Sequence, residues 1–372
     1  ALPCVRHPHP FHRARPAHHL LLSHMPEELN LPKGFAKRMV DWQRSQGRQH
    51  LPWQHTRDPY RVWLSEIMLQ QTQVSTVLDY YPRFLQRFAD VASLAAAPQD
   101  DVLALWSGLG YYSGARNLHR CAQEVVDRFG GTFPKSVQDL VSLPGIGRST
   151  AAAIAAFCFD ERVSILDGNV KRVLSRVLGY DADLAVAAHE RQLWALAERL
   201  LPRQAADMPA YTQSLMDVGA TLCQPRKTQC GLCPVQPVCA AHAQERPLAY
   251  PVKTRKLKRS SATMWLLWAV NSQGQVWLQQ RPARGIWAGL YSLPVFDDEA
   301  GLLQACSHGR AVRYIDPWKH VLTHRDLHLH PVRMEISDGQ PPQCDGRWVD
   351  ATDWPLLGLP APIRSLLQGR NG

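Results

Sequence analysis

The chain of 372 residues is long enough for two ordinary domains, and its 45% apolar content excludes wholesale disorder. Forty-two Lys and Arg against 32 Asp and Glu leave a net charge of +10, a balance that suits a polyanionic partner without proving one. No apolar run approaches the ~20 residues that span a bilayer, so the composition reads as a soluble, intracellular protein with no membrane partner.

Residues 1–24, rich in His, Pro and Arg and without amphipathic period, read as a disordered extension. From 25 to 243 the pattern is almost wholly helical: segments 60–81, 101–106, 115–129, 136–143 and 150–157 place apolar residues three and four apart. The stretches "LGYY", "GGTFP", "PGIG" and "DGN" punctuate them, as expected of an all-α domain with short connections. Residues 244–262 are polar, basic and proline-containing. They read as a linker, a solvated tether whose Lys/Arg cluster could also lie along phosphates. The period then changes. "MWLLWAV" and "QVWLQQR" flank the turn "NSQG", "LHLHPVRMEI" and "GRWVD" are further strands, and helical stretches fall at 299–307 and 361–367. Residues 263–372 are expected to form an α+β domain with a mixed or antiparallel sheet.

Several groups along this chain can carry chemistry. Glu66 lies in "VWLSEIMLQQTQV", and on a helix its neighbours one turn away are Val62, Trp63, Leu69 and Gln70. A carboxyl against so apolar a wall has a raised pKa and can donate a proton, although a residue at the edge of a buried face shows the same pattern. Gln70, Gln71, Thr72 and Gln73 follow it and offer amides and a hydroxyl to base edges. Tyr111 and Tyr112, in "GLGYYSGARNLH", offer a plane for stacking or wedging, or plain core packing beside a glycine-rich bend. In "LPGIGRSTAAAIAAF", Gly145 and Gly147 flank one apolar residue before an alanine-rich helix. Such a turn lets the backbone approach a phosphate at the helix start, and an ordinary capped αα-turn fits equally well. Asp167 opens "DGNVKRVLSRVLG" as a helix N-cap, where its carboxylate keeps its charge beside the first N–H groups, with Lys171 and Arg172 one turn on. An ionised carboxylate facing a cleft is also what an oxocarbenium-like sugar requires, so cap and catalyst are compatible roles.

The nine cysteines are an odd set. Five are scattered, as in a reducing compartment, and four cluster as C-x6-C-x2-C-x5-C: Cys223, Cys230, Cys233 and Cys239. Metal ligation explains that cluster better than disulfides. Spacing chemistry leaves structural zinc and a [4Fe–4S] cluster both open.

The cysteine run, following a helical domain with "LPGIGRSTA" and "LDGNVKR", resembles the endonuclease III superfamily of helix-hairpin-helix DNA glycosylases. That resemblance implies a [4Fe–4S] cluster used structurally and in DNA contact, with Arg226 and Lys227 facing phosphates, and a hairpin at Gly145 and Gly147 that grips the backbone. Trp53, "VWLSEIMLQQTQV" and "GLGYYSGARNLH" resemble the MutY-type, adenine-removing branch over nearly all of residues 31–243. The branch implies that Glu66 protonates N7 of a flipped-out adenine and activates water, while Asp167 stabilises the sugar cation. Gln71 and Tyr111 would contact the opposite strand; Asn169, Trp53 and Asp217 are pocket candidates. Bifunctional relatives carry a Lys where this chain has Ser149, and Ser cannot form a Schiff base, so a monofunctional, water-using enzyme is expected. Lys171 is near enough in sequence to Asp167 to be considered for residual strand cleavage. "RPARGIWAGLYSLP" resembles the Nudix-like domain of the same branch, but Asp297, Asp298 and Glu299 do not make a Mg²⁺-binding acidic helix. Recognition of 8-oxoguanine would fall to Thr323 and His324, where Leu322 replaces a more usual aromatic. The implied partner is duplex DNA with adenine opposite 8-oxoguanine or guanine, met by a monomer on the nucleoid of a bacterial-type cytoplasm. The rival readings are a glycosylase/lyase for oxidised pyrimidines, a non-catalytic iron–sulfur DNA-binding protein and a Nudix hydrolase.

Overall fold

The computed structural model of the chain describes residues 31–254, 259–337 and 340–369, so the extension read at residues 1–24 lies outside the described residues. The helical part comprises α1 (Phe35–Ser45), α2 (Pro59–Leu69), α3 (Val74–Arg87), α4 (Val91–Ala96), α5 (Gln99–Trp106) and α6 (Tyr112–Phe129). It continues with α7 (Val137–Val141), α8 (Arg148–Phe159), α9 (Gly168–Leu178), α10 (Ala187–Arg199), α11 (Met208–Asp217) and α12 (Ala240–Ala243).

Helix α2 starts where Asp58 accepts from the Tyr60 amide at 3.0 Å and Pro59 occupies the first turn. It buries residues on nearly every side, among them Tyr60, Trp63, Leu64 and Met68, as a central helix must. The apolar period runs through 60–81 without a break, yet the structure ends α2 at Leu69 and restarts at Val74. Residues 70–73 are all polar and would enter α2's buried surroundings if the helix went on. The chain turns instead, and Thr72 Oγ1 donates to the Leu109 carbonyl at 3.3 Å.

The helices build two cores. One gathers α2 to α7; the other gathers α1 with α9 to α11. Helix α8 lies between them, giving Ala151, Ile154 and Ala155 to the first and Ala152, Ala153 and Ala156 to the second. Alanine side chains let backbones approach closely on both sides.

The remaining chain forms one mixed sheet from β1 (Ser260–Asn271), β2 (Val276–Gln280), β3 (Tyr291–Ser292), β4 (Val295–Phe296), β5 (Arg310–Tyr314), β6 (Trp318–Val321), β7 (Arg325–Ile336) and β8 (Arg347–Val349). Strands β1 and β7 run parallel from Ser260↔Arg325 to Asn271↔Ile336, and the other pairings are antiparallel. Helices α13 (Glu299–Ala305) and α14 (Ala361–Leu367) complete it, so this part is α+β. Leu290, Leu293, Leu359 and Ile363 belong to the same hydrophobic core as Leu103 and Trp106 of α5. At the seam, a Cβ on Gly358 would stand 2.9 Å from Leu103 Cβ and 3.3 Å from a Leu290 methyl. Gly358→Ala is therefore expected to overpack the contact and lower stability by about 1–3 kcal/mol, measured as a lower urea midpoint at unchanged slope.

Candidate active site

A cleft of about 1160 Å³ opens between the two helical cores. Helix α2 presents Glu66 from the first core, and the N-terminus of α9 presents Asp167 from the second; both line the cleft. Ser149, Asn169 and Trp53 line it too, the last held edge-on against Tyr81 with ring centroids 5.4 Å apart.

Glu66 is half-buried. It meets the cleft while protein packs round its carboxyl, and Val62 and Trp63 on its own helix are almost fully buried. Burial first, and the negative charge of Asp167 second, push the Glu66 pKa from 4.5 to about 8. Asp167 is a true N-cap: its Oδ1 accepts from the amides of Asn169 at 2.7 Å and Val170 at 2.9 Å. Two carboxyls thus share one cleft in opposed settings, one desolvated and one fed by helix N–H groups. Ser149 Oγ accepts from the Leu166 amide at 3.1 Å, which fastens α8 to the segment leading into Asp167.

Other expected residues lie elsewhere. Lys171 turns toward α10 and pairs with Glu190 at 2.7 Å, away from the cleft lining. Asp217 does not line the cleft. Fully buried, it accepts from the Arg48 amide, from Arg48 Nε and NH2 at 2.8 and 2.6 Å, and from Gln213. A buried carboxylate needs such complete pairing, so Arg48 and Gln213 reach the cleft in its place. Gln71 is exposed in the turn after α2, and Tyr111 is 47% exposed before α6 with φ of +47°. Tyr112, by contrast, donates to the Leu359 carbonyl across the seam. Gly145, at φ +77°, packs so close to Asn117 that a Cβ would stand 2.9 Å from it, and Gly147 opens α8 with no side-chain cap. Thr323 and His324 are exposed in the β6–β7 turn, outside the cleft lining. Leu322 packs against the main core, while Arg259 donates to the carbonyls of Leu322 (2.9 Å) and Thr323 (3.2 Å).

Cys223, Cys230, Cys233 and Cys239 line a second cavity with Val173, Val177, Val218 and Leu222. Among the described residues no group of three or more His, Cys, Asp or Glu is gathered to hold a metal ion. Burial pushes the Cys233 thiol up to about 12. Two buried arginines of α9 organise this loop: Arg172, read from the sequence only as a cation near Asp167, and Arg176, which the sequence shows as one more polar position on an amphipathic helix. Arg176 donates to Cys223 Sγ at 3.2 Å and to the Gln224 carbonyl at 2.8 Å. Arg172 donates to the carbonyls of Cys223 and Gly219 and to Asn169 Oδ1. Arg226 and Lys227 stand exposed at the loop's tip.

The model of the HhH-GPD superfamily of base excision DNA repair proteins matches residues 64–199, and that of the NUDIX domain matches residues 265–369. Over 342 residues the chain is 34% identical to an adenine DNA glycosylase of Buchnera aphidicola subsp. Schizaphis graminum, covering 90% of this chain and 98% of that protein. It is 43% identical over 218 residues to an adenine DNA glycosylase of Rattus norvegicus, covering 56% of this chain and 42% of that protein. Among solved structures, a thermostable thymine-DNA glycosylase superposes with a TM-score of 0.51 at 27% identity, covering 57% of this chain and 97% of that one.

Asp217→Ala leaves the Arg48 guanidinium without its buried partner. It is expected to cost about 3–5 kcal/mol, read from denaturant unfolding.

Proposed function

The chain belongs to the adenine DNA glycosylase family, and we propose that it hydrolyses the N-glycosidic bond of adenine mispaired with 8-oxoguanine or guanine in duplex DNA, leaving an abasic site. The observation that carries this reading is the pair of carboxyls, Glu66 and Asp167, facing one cleft in opposed environments. With its pKa near 8, Glu66 holds a proton at neutral pH and donates it to N7 of the adenine as the bond to the sugar breaks. Asp167, whose carboxylate is held by the amides at its helix start, stabilises the oxocarbenium-like sugar. Glu66, now a carboxylate, takes a proton from the attacking water.

No lysine is found among the described residues that line the cleft, and Lys171 is occupied by Glu190. With Ser149 in place of an amine, this supports hydrolysis over Schiff-base strand cleavage. Gln71 and Tyr111 contact the strand opposite the adenine; Gly145, Gly147 and the α8 N-terminus hold phosphates, and Asn169 lines the base pocket. Thr323 and His324 read the 8-oxoguanine. In the second half Asp298 caps α13, accepting from the Gly301 amide at 2.7 Å, and Glu299 accepts from Tyr314 at 2.5 Å. That engagement supports recognition, not nucleotide hydrolysis, as the task of this domain. The protein acts as a monomer on nucleoid DNA in the cytoplasm.

The cysteine cavity fits a [4Fe–4S] cluster held by Cys223, Cys230, Cys233 and Cys239. Its walls are apolar, all four cysteines line it, and Arg176 donates to one sulfur, as suits thiolates with excess negative charge. When bound, the cluster supplies structural cross-linking, which sets Arg226 and Lys227 at the DNA-facing tip.

Single-turnover excision from a duplex with adenine opposite 8-oxoguanine tests the reading. Product is expected only after alkali cuts the abasic site, and Glu66→Gln is expected to slow it about 10²–10⁴-fold; strand breaks without alkali would sink the monofunctional assignment. The rate should fall as pH rises through about 8, where Glu66 loses its proton. A carboxyl with a raised folded pKa stabilises the fold below its ordinary 4.5 and loses that contribution as pH climbs to about 8. Glu66→Gln should therefore gain stability on the parent above pH 8, with the gap closing below pH 4.5. Cys233→Ser is expected to reduce iron and acid-labile sulfide together in the purified protein; full iron with no sulfide would point to a plain metal site.

A further inference from the structure

The turn between α5 and α6 carries Tyr111 in a conformation that must be held in place. Gly108 has φ of +105°, Gly110 +73° and Tyr111 +47°, the last a region that a bulky L-residue enters only under constraint. The ring lies over Gly114, where a Cβ would come within 2.8 Å of Tyr111 Cδ1.

Within the helical half, side chains fix three carbonyls of the turn. Tyr80 OH donates to Ser107 O at 2.8 Å, Thr72 to Leu109 O, and Trp106 Nε1 to Gly110 O at 3.0 Å. The flanks of the turn, however, are tied to the other half of the molecule. Ser107 Oγ and Tyr112 OH, one on each side, both donate to the carbonyl of Leu359, at 2.8 and 3.1 Å. Arg364 of α14 donates from Nε to Ser107 Oγ at 3.1 Å. Its other nitrogens donate to the carbonyls of Pro355 and Leu357, at 2.9 and 2.8 Å. One guanidinium thus binds the segment leading into α14 to the turn that carries Tyr111, a fork geometry that lysine does not supply. Leu359 is fully buried, so its carbonyl depends on these two donors.

We propose that Arg364, Ser107 and the Leu359 carbonyl form a brace through which the C-terminal domain positions Tyr111 for DNA, a contribution separate from that of the β6–β7 turn. Arg364 is a positioning residue: it touches no DNA and acts through the turn. The brace clamps both flanks of an exposed, strained aromatic, so the ring meets the duplex already oriented instead of losing conformational freedom on binding. This inference rests on the reading that Tyr111 contacts DNA.

The test is a double-mutant cycle on the full chain. Affinity is measured for a duplex in which a 2′-fluoro-substituted adenosine, resistant to hydrolysis, stands opposite 8-oxoguanine. Tyr111→Ala and Arg364→Ala are each expected to weaken binding about tenfold, and the double variant to bind no worse than Tyr111→Ala alone. A general loss of stability would not follow that pattern, because it would persist after the ring is gone. Ser107→Ala removes only a hydroxyl and should reproduce the Arg364→Ala effect; it carries the test if Arg364→Ala folds poorly. If Tyr111→Ala weakens binding and the brace variants do not, or if their effects multiply with it, the brace is overturned while the DNA contact stands. If Tyr111→Ala binds normally, the contact itself is wrong and the brace falls with it.

Discussion

Alanine on both flanks of α8 sets the distance between the two helical cores, and the cleft exists because of that distance. Six small or branched side chains, Ala151 to Ala156, are divided between the two sides, so the helix is a shared wall with no exposed face along its middle. Larger residues would push α2 and α9 apart, carrying Glu66 and Asp167 with them. The two carboxyls sit on different cores, so their mutual influence depends on the packing of a helix that contributes neither. Ser149, the second residue of α8, adds a polar fastening to the loop before Asp167.

A second dependence runs through α9. Asp167 begins this helix, Arg172 projects from its middle and Arg176 from its last turn, and their donors hold the first part of the cysteine loop. Arg172 also reaches Asn169, two residues from Asp167. The order of the cysteine loop and the placement of the capping carboxylate are thereby properties of one helix. A π-helical turn at Val218–Leu222 runs directly into Cys223, and its Gly219 offers a carbonyl to Arg172. Whatever orders the cysteine loop therefore bears on the placement of Asp167 through this helix.

Much of this was legible in the residue pattern. Capping by Asp167, the apolar wall around Glu66, the hairpin glycines, the cysteine spacing and the switch from helical to alternating period all express local rules that act within a few residues. The features that escaped are those decided by partners far away in the chain. The period through 60–81 could not reveal the break at 70–73, because that break depends on what surrounds α2 and on Leu109 as an acceptor. Asp217 reads as a pocket acid until Arg48, 169 residues away, is found to satisfy it. Lys171 and Arg172 look alike in sequence, yet one pairs with Glu190 on the surface of α10 and the other is buried against Gly219. Tyr111 and Tyr112 are adjacent and identical, and only tertiary contacts make one exposed and the other a link between halves.

The continuity of the main core also bears on modularity. Charge and proline content mark the stretch before β1 as the natural place to divide the chain, and by composition it is a tether. The apolar contacts follow a different boundary. Leu103 and Trp106 share their core with Leu290, Leu359 and Ile363, so α14 and the loops beside it form one wall of the helical domain's own interior. A helical half made alone would present that wall to water, and would need polar replacements along α5 to stand by itself.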